Sequence, residues 1–182
     1  MVKLSFVYKK EELLEIYKAG CEFWKVPFDL KDFLKNYPET DDINIPFFRG
    51  MSRTRFIELW KEKEDDVIAE IERVYKPFPE GEVVIGLFPR GDIFWKFKTQ
   101  KSYSIPGFDN KKALIALVPG FDRFKWLVHE LFHANDDLRM ETGLTPAEKH
   151  QWFDNQAQEI ANKYFKIFFK PKINPSTGSG VS

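Results

Sequence analysis

The chain has 182 residues, with 28 Lys and Arg against 28 Asp and Glu, so its formal charge at pH 7 is zero; it carries one cysteine and three histidines. That balance excludes the broad basic surface of a nucleic-acid or anionic-membrane binder, and the single Cys21 excludes an internal disulfide framework and a cysteine-ligated zinc cluster. No run approaches the ~18 apolar residues of a membrane span, and Lys9, Lys10, Glu11 and Glu12 come before any signal-type apolar core, which predicts a cytoplasmic protein with no membrane partner.

The first half reads as helical. Leu13, Leu14, Tyr17, Cys21 and Trp24 recur at three- and four-residue spacing and predict a helix over Lys10–Trp24. Asp29 caps a second short helix that stops before Pro38, and residues 38–51, with two prolines, read as a loop. Arg53–Tyr75 carries the apolar stripe of one long helix, with Lys61–Asp66 on its solvated face.

The middle of the chain is β-like. Glu82–Phe88 is a β-branched apolar run, Pro89-Arg90-Gly91-Asp92 is turn chemistry, and Ile93–Phe97 is a second short run. A long loop containing Ser104-Ile105-Pro106-Gly107 leads to Ala113–Val118, apolar on both faces and suited to a strand covered by helices. A helix from Asp122 to about Arg139 or Met140, stopped by Gly143, is followed by one capped by Thr145, opened by Pro146 and running to Phe169. Helices, then strands, then two helices make an α+β pattern. Residues 1–173 are expected to form one domain, helical over 1–80, with the sheet and site helices over 81–173 and a flexible Ser/Gly-rich tail over 174–182.

All three histidines, His129, His133 and His150, fall within 22 residues. The first two belong to His129-Glu130-Leu131-Phe132-His133, the pattern H-E-x-x-H. Residues four apart on a helix share a face, so both imidazoles can reach one metal ion, with Glu130 one step round to hold a water. With three His and 16 Glu in the chain, the pattern arises by chance only about 0.004 times on an independent-site estimate, so coincidence is a poor explanation. The alternative of two buried imidazoles bonded only to each other would cost stability without return.

On this motif the chain resembles the zincin metallopeptidases. The likeness extends from residue 82 to 169, through the apolar strand before the motif helix and the helix after it. It implies a zincin-like fold, a Zn2+ cofactor held by His129 and His133, Glu130 as general base, and a peptide or protein substrate. In zincins the strand before this helix commonly pairs with an extended substrate backbone, and the walls of the cleft are expected to involve the loop from Thr99 to Asn110.

Catalytic zinc takes a third protein ligand and leaves a fourth position for water. The metzincin extension is absent, since Arg139 stands where its third histidine would be. His150, Asp154 and Glu159 on the last helix are the candidates. At about 100° per residue, His150 lies within the buried face with Phe153, Ala157, Ile160 and Ala161, and Asp154 borders it. Glu159 shares the opposite side with Lys163, as an ordinary surface pair.

Segments of the ImmA/IrrE-like type carry a ligand Glu with Ala three and seven residues later. Asp154, Ala157 and Ala161 match that register with Asp in place of Glu, which favours Asp154. A second register of the segment, over Gln158–Asn162, puts Gln158 at the ligand position. A SprT-like arrangement would instead use His150 as a third histidine. With Asp154 on the metal, His150 one turn earlier would serve the oxyanion or hold Asp154. Asp136 and Asp137, seven and four residues after the two histidines, lie on the ligand side but read as exposed near a helix end.

The expected activity is zinc-dependent peptide hydrolysis. The rival is a non-catalytic, metal-clamped regulatory or protein-binding module, which a closed four-ligand site would favour. Neutral overall charge argues against a nucleic-acid partner and for a polypeptide one.

Overall fold

The structure, a computed structural model, describes residues 2–35, 51–89, 97, 102–107, 111–120, 123–141 and 145–165. In chain order these form β1 (Val2–Val7), α1 (Lys10–Phe23), α2 (Leu30–Lys35), α3 (Arg53–Lys61), α4 (Glu64–Val74), β2 (Gly81–Leu87), β3 (Ser102–Pro106), β4 (Lys112–Leu117), α5 (Arg123–Leu138) and α6 (Ala147–Phe165). Most of the loop over 38–51, the turn at 90–92, the run 93–96, Asp122, Gly143, residues 166–169 of the last helix and the tail lie outside the described residues.

The sheet runs β1-β2-β4-β3. β1, β2 and β4 are parallel, and β3 is antiparallel to β4 at the edge. The fold is therefore mixed, six helices with a four-stranded sheet among the described residues, in agreement with the α+β expectation. No described helix is long and apolar enough to cross a membrane.

Side-chain alternation sorts the sheet's two faces. Val83, Ile85, Leu87, Ala113, Ile115 and Leu117 join the larger core with α3 to α6. Leu114, Ala116, Val118 and Ile105 pack on the other face under α1, with Leu13, Ile16 and the buried Cys21. β4 is thus covered on both sides, as its all-apolar sequence requires. β2 passes so close under α1 that a Cβ on Gly86 would come within 2.6 Å of Ile16 Cδ1.

Three elements differ from the sequence expectation. Residues 2–7, within a segment read as helical, form strand β1 and pair with β2 from Val2↔Gly81 to Val7↔Gly86. The segment read as a loop around Ser104 and Ile105 is strand β3, paired from Ser102↔Leu117 to Pro106↔Ala113. Its polar–apolar alternation is a strand signal that Pro106-Gly107 masked. The single helix Arg53–Tyr75 is two: the Lys63 N–H bonds Trp60 O, a tightened turn, and the Trp60 indole donates to Glu64 Oε2 at 2.8 Å across the break.

The ends of α1 and α5 share one device. Beyond Phe23, the Lys25 and Val26 amides bond Glu22 and Cys21 carbonyls, with Lys25 at φ 52°; beyond Leu138, the Met140 and Glu141 amides bond Asp137 and Asp136 carbonyls, with Met140 at φ 59°. Both are left-handed caps of the kind glycine usually occupies. α5 accordingly ends on its own cap at Leu138, well before Gly143. Its other end is clamped by stacked rings: the Phe124 ring centroid lies 4.6 Å from that of Phe56 and 4.3 Å from that of Phe165, both nearly parallel to it. These stacks and the sheet hold α5 as a fixed platform for the residues it carries.

Candidate metal centre and active site

α5 is buried along most of its length, and the motif lies in its middle, with His129 and Glu130 buried and His133 half-buried. The four-residue spacing does what the sequence requires: His129 Nε2 and His133 Nε2 stand 3.1 Å apart. α6 packs across α5 and brings up His150, so that one ring nitrogen from each of His129, His133 and His150 lies within 4.8 Å of the others. This three-histidine set is the one group of metal-ligating side chains of its kind among the described residues. Phe153 presents its ring at 5.0 Å and nearly perpendicular to His133, packing the apolar side of the cluster.

Asp154, favoured from sequence as a third ligand, is not in that set. Its Oδ1 stands 3.2 Å from His129 Nδ1 and its Oδ2 3.7 Å from His150 Nδ1. It therefore sits behind the His129 ring, against the nitrogen that faces away from His133. Glu159 is exposed, and Lys163, its expected partner, instead bonds Glu70 Oε2 at 2.8 Å. Gln158 is occupied with Asn162.

The residues present fit a metal ion on their own chemistry. Two nitrogens bound tetrahedrally at about 2.0–2.1 Å to one ion stand roughly 3.3 Å apart, close to the 3.1 Å separation of His129 and His133. A ligand imidazole must be unprotonated. Burial, with His150 and, for His133, His129 adding like-charge repulsion, holds both His129 and His133 down to about 3, so each is neutral at pH 7. Thr145, read as a helix cap, has its Oγ1 3.3 Å from His133 Nδ1, the ring nitrogen turned away from the cluster.

Glu130 is fixed from the sheet. Ser102 Oγ donates to Glu130 Oε1 at 2.6 Å, both residues being buried. Burial pushes the Glu130 carboxyl up to about 8, opposed by the Ser102 hydroxyl and the Ser104 backbone. One step along the same strand face, Ser104 Oγ donates to Asp137 Oδ2 at 2.8 Å, and burial raises Asp137 to about 6. Asp137 is half-buried and Asp136 buried: Tyr75 Oη donates to Asp136 Oδ1 at 2.6 Å and Lys149 Nζ to its Oδ2 at 2.5 Å. The exposed reading of Asp136 and Asp137 is thus overturned, because Tyr75 just beyond α4, Lys149 on α6 and Ser104 on β3 cover the end of α5 that sequence alone leaves bare.

The cluster opens into a cleft of about 760 Å³. One wall is the β3 segment Ser102–Ser104, part of the stretch expected there. Another is Phe23, Trp24 and Lys25 at the capped end of α1, which nothing in the sequence marked out. No serine in a loop-like stretch advertises contact with a glutamate 28 residues away, so Ser102 was equally hidden. Comparisons with known protein families, with curated proteins and with solved structures found no match.

Proposed function

We propose that the chain is a zinc-dependent peptidase of zincin-like fold that hydrolyses peptide bonds with Glu130 as general base. The observation that carries this reading is the convergence of three imidazole nitrogens beside a buried glutamate in an open cleft. His129, His133 and His150 would hold the ion, and imidazole donors suit zinc. Three protein ligands leave a position open, the mark of a catalytic site rather than a structural one. When bound, zinc supplies Lewis acidity and acidifies a water.

The chain's own groups do the rest. Glu130, which lines the cleft beside the histidines, is suited to accept a proton from the attacking water and return it to the leaving amine. Asp154, against His129 Nδ1, and Thr145, against His133 Nδ1, are suited to orient the two imidazoles. The strand offered to an extended substrate on this reading is β3: β4 is paired on both sides, whereas β3 pairs with β4 alone among the described residues. A buried free Cys21 suits the cytoplasmic location that belongs to the same reading.

A metal-clamped binding module would need a closed coordination shell. Asp154 is the nearest fourth donor, and its carboxylate faces the rear of His129 instead. The deciding experiment compares zinc-loaded wild type and Glu130→Gln on a peptide library. Cleavage by wild type, with the variant retaining zinc but inactive, supports the peptidase. Wild-type rates from the variant overturn Glu130 as base, and an inert zinc-loaded wild type favours the clamp.

A further inference from the structure

Glu130 reaches the cleft from a helix on a side chain with three rotatable bonds, and freezing such a chain costs conformational entropy. A base that wandered among rotamers would lose the alignment that proton transfer demands. The helix supplies no lock for it. The lock comes from the edge strand, where the Ser102 hydroxyl donates to Oε1 at 2.6 Å from a buried position.

Resting on the peptidase reading, we infer that Ser102 is a positioning residue: it references the Glu130 carboxylate to β3, the same strand the substrate would lie along. The base and the bound backbone then share one rigid frame, and their separation does not depend on how α5 settles against the sheet. Ser104 provides an internal contrast. Its side chain makes a similar bond from the same strand to the same helix, but to Asp137, two turns beyond Glu130; its contact with Glu130 is through the backbone, which an alanine keeps. If the serines merely staple strand to helix, the two are equivalent; if Ser102 aims the base, they are not.

The test measures kcat, KM, zinc content and thermal midpoint for Ser102→Ala, Ser102→Thr and Ser104→Ala, with Glu130→Gln as reference. Ser102→Ala is expected to lower kcat about 10- to 100-fold, the scale of a small misplacement of a reacting group, while KM and zinc content stay as in wild type. Ser102→Thr, which keeps the hydroxyl, restores most of kcat. Ser104→Ala changes the thermal midpoint as much as Ser102→Ala does but costs kcat at least several-fold less.

Equal kcat losses in the two alanine variants, or wild-type kcat in Ser102→Ala beside an inactive Glu130→Gln, overturn the inference and leave the peptidase reading standing. Full activity in Glu130→Gln overturns that reading instead. Should Ser102→Ala not fold, Ser102→Cys, of nearly the same size with a much weaker donor, takes its place with the same two outcomes.

Discussion

Asp154 Oδ1 stands 3.2 Å from His129 Nδ1, on the far side of the ring from the nitrogen that faces His133. Neither atom has a hydrogen-bond partner among the described residues, so the contact is close but misaligned. A half-buried carboxylate behind a metal-facing imidazole is the arrangement in which the acid orients the ring and raises its basicity.

That arrangement separates Asp154 from His150 by experiment. Asp154→Ala should still bind zinc, with affinity lowered about 10- to 100-fold, whereas His150→Ala should lose a ligand and most of its zinc. Competition against a chromophoric chelator reads both. Complete loss in Asp154→Ala with retention in His150→Ala would mean that the carboxylate, and not the third imidazole, is on the metal.

Glu130 gives stability a pH dependence in protein stripped of metal. Its folded value of about 8 lies above the ordinary 4.5, so between those pH values the folded chain keeps a proton that the unfolded chain has released. Stability therefore falls as pH rises through this window, by up to about 1.4 kcal/mol per pH unit. Glutamine carries no such charge, so the thermal midpoint of Glu130→Gln should gain on wild type steadily from pH 5 to 8.5. A difference that stays constant with pH would show that the carboxyl titrates normally.

Tyr75→Phe removes the hydroxyl that donates to buried Asp136 at 2.6 Å. Lys149 still bonds the other oxygen, so the loss is one bond to a buried carboxylate, about 1–3 kcal/mol. The urea midpoint should fall accordingly with the slope unchanged. An unchanged midpoint would mean that water replaces the phenol at no cost.

Gly86→Ala should destabilise by about 1–3 kcal/mol through overpacking. The added Cβ would stand 2.6 Å from Ile16 Cδ1, 3.0 Å from Leu13 Cδ2 and 3.2 Å from a Phe88 ring carbon, so three apolar side chains between α1 and β2 must shift at once. Thermal unfolding that matches wild type would show that α1 lifts freely off the sheet.

Much of this protein was legible in its residues because the physics involved is local. The spacing in His129-Glu130-x-x-His133 brings two imidazoles onto one face of any helix, whatever surrounds it, and the periodicities of α1, β2, β4, α5 and α6 placed those elements to within a few residues. Strands β1 and β3 escaped because six- and five-residue segments carry little pattern, and each is held by a partner far along the chain: Val2 by Gly81, Ser102 by Leu117. The break between Lys61 and Glu64 escaped because an apolar stripe continues in phase across it.

The choice among His150, Asp154 and Glu159 lay beyond sequence. All three sit on one helix within ten residues, and which of them meets His129 and His133 depends on how α6 crosses α5. Packing of Phe153 against His133 and Phe132 sets that crossing, turning His150 toward the two imidazoles and Asp154 to the back of one. The partners of Glu130 and Asp136 were decided in the same way, by β3, α4 and α6 closing on a helix whose own residues could say only that it carries the site.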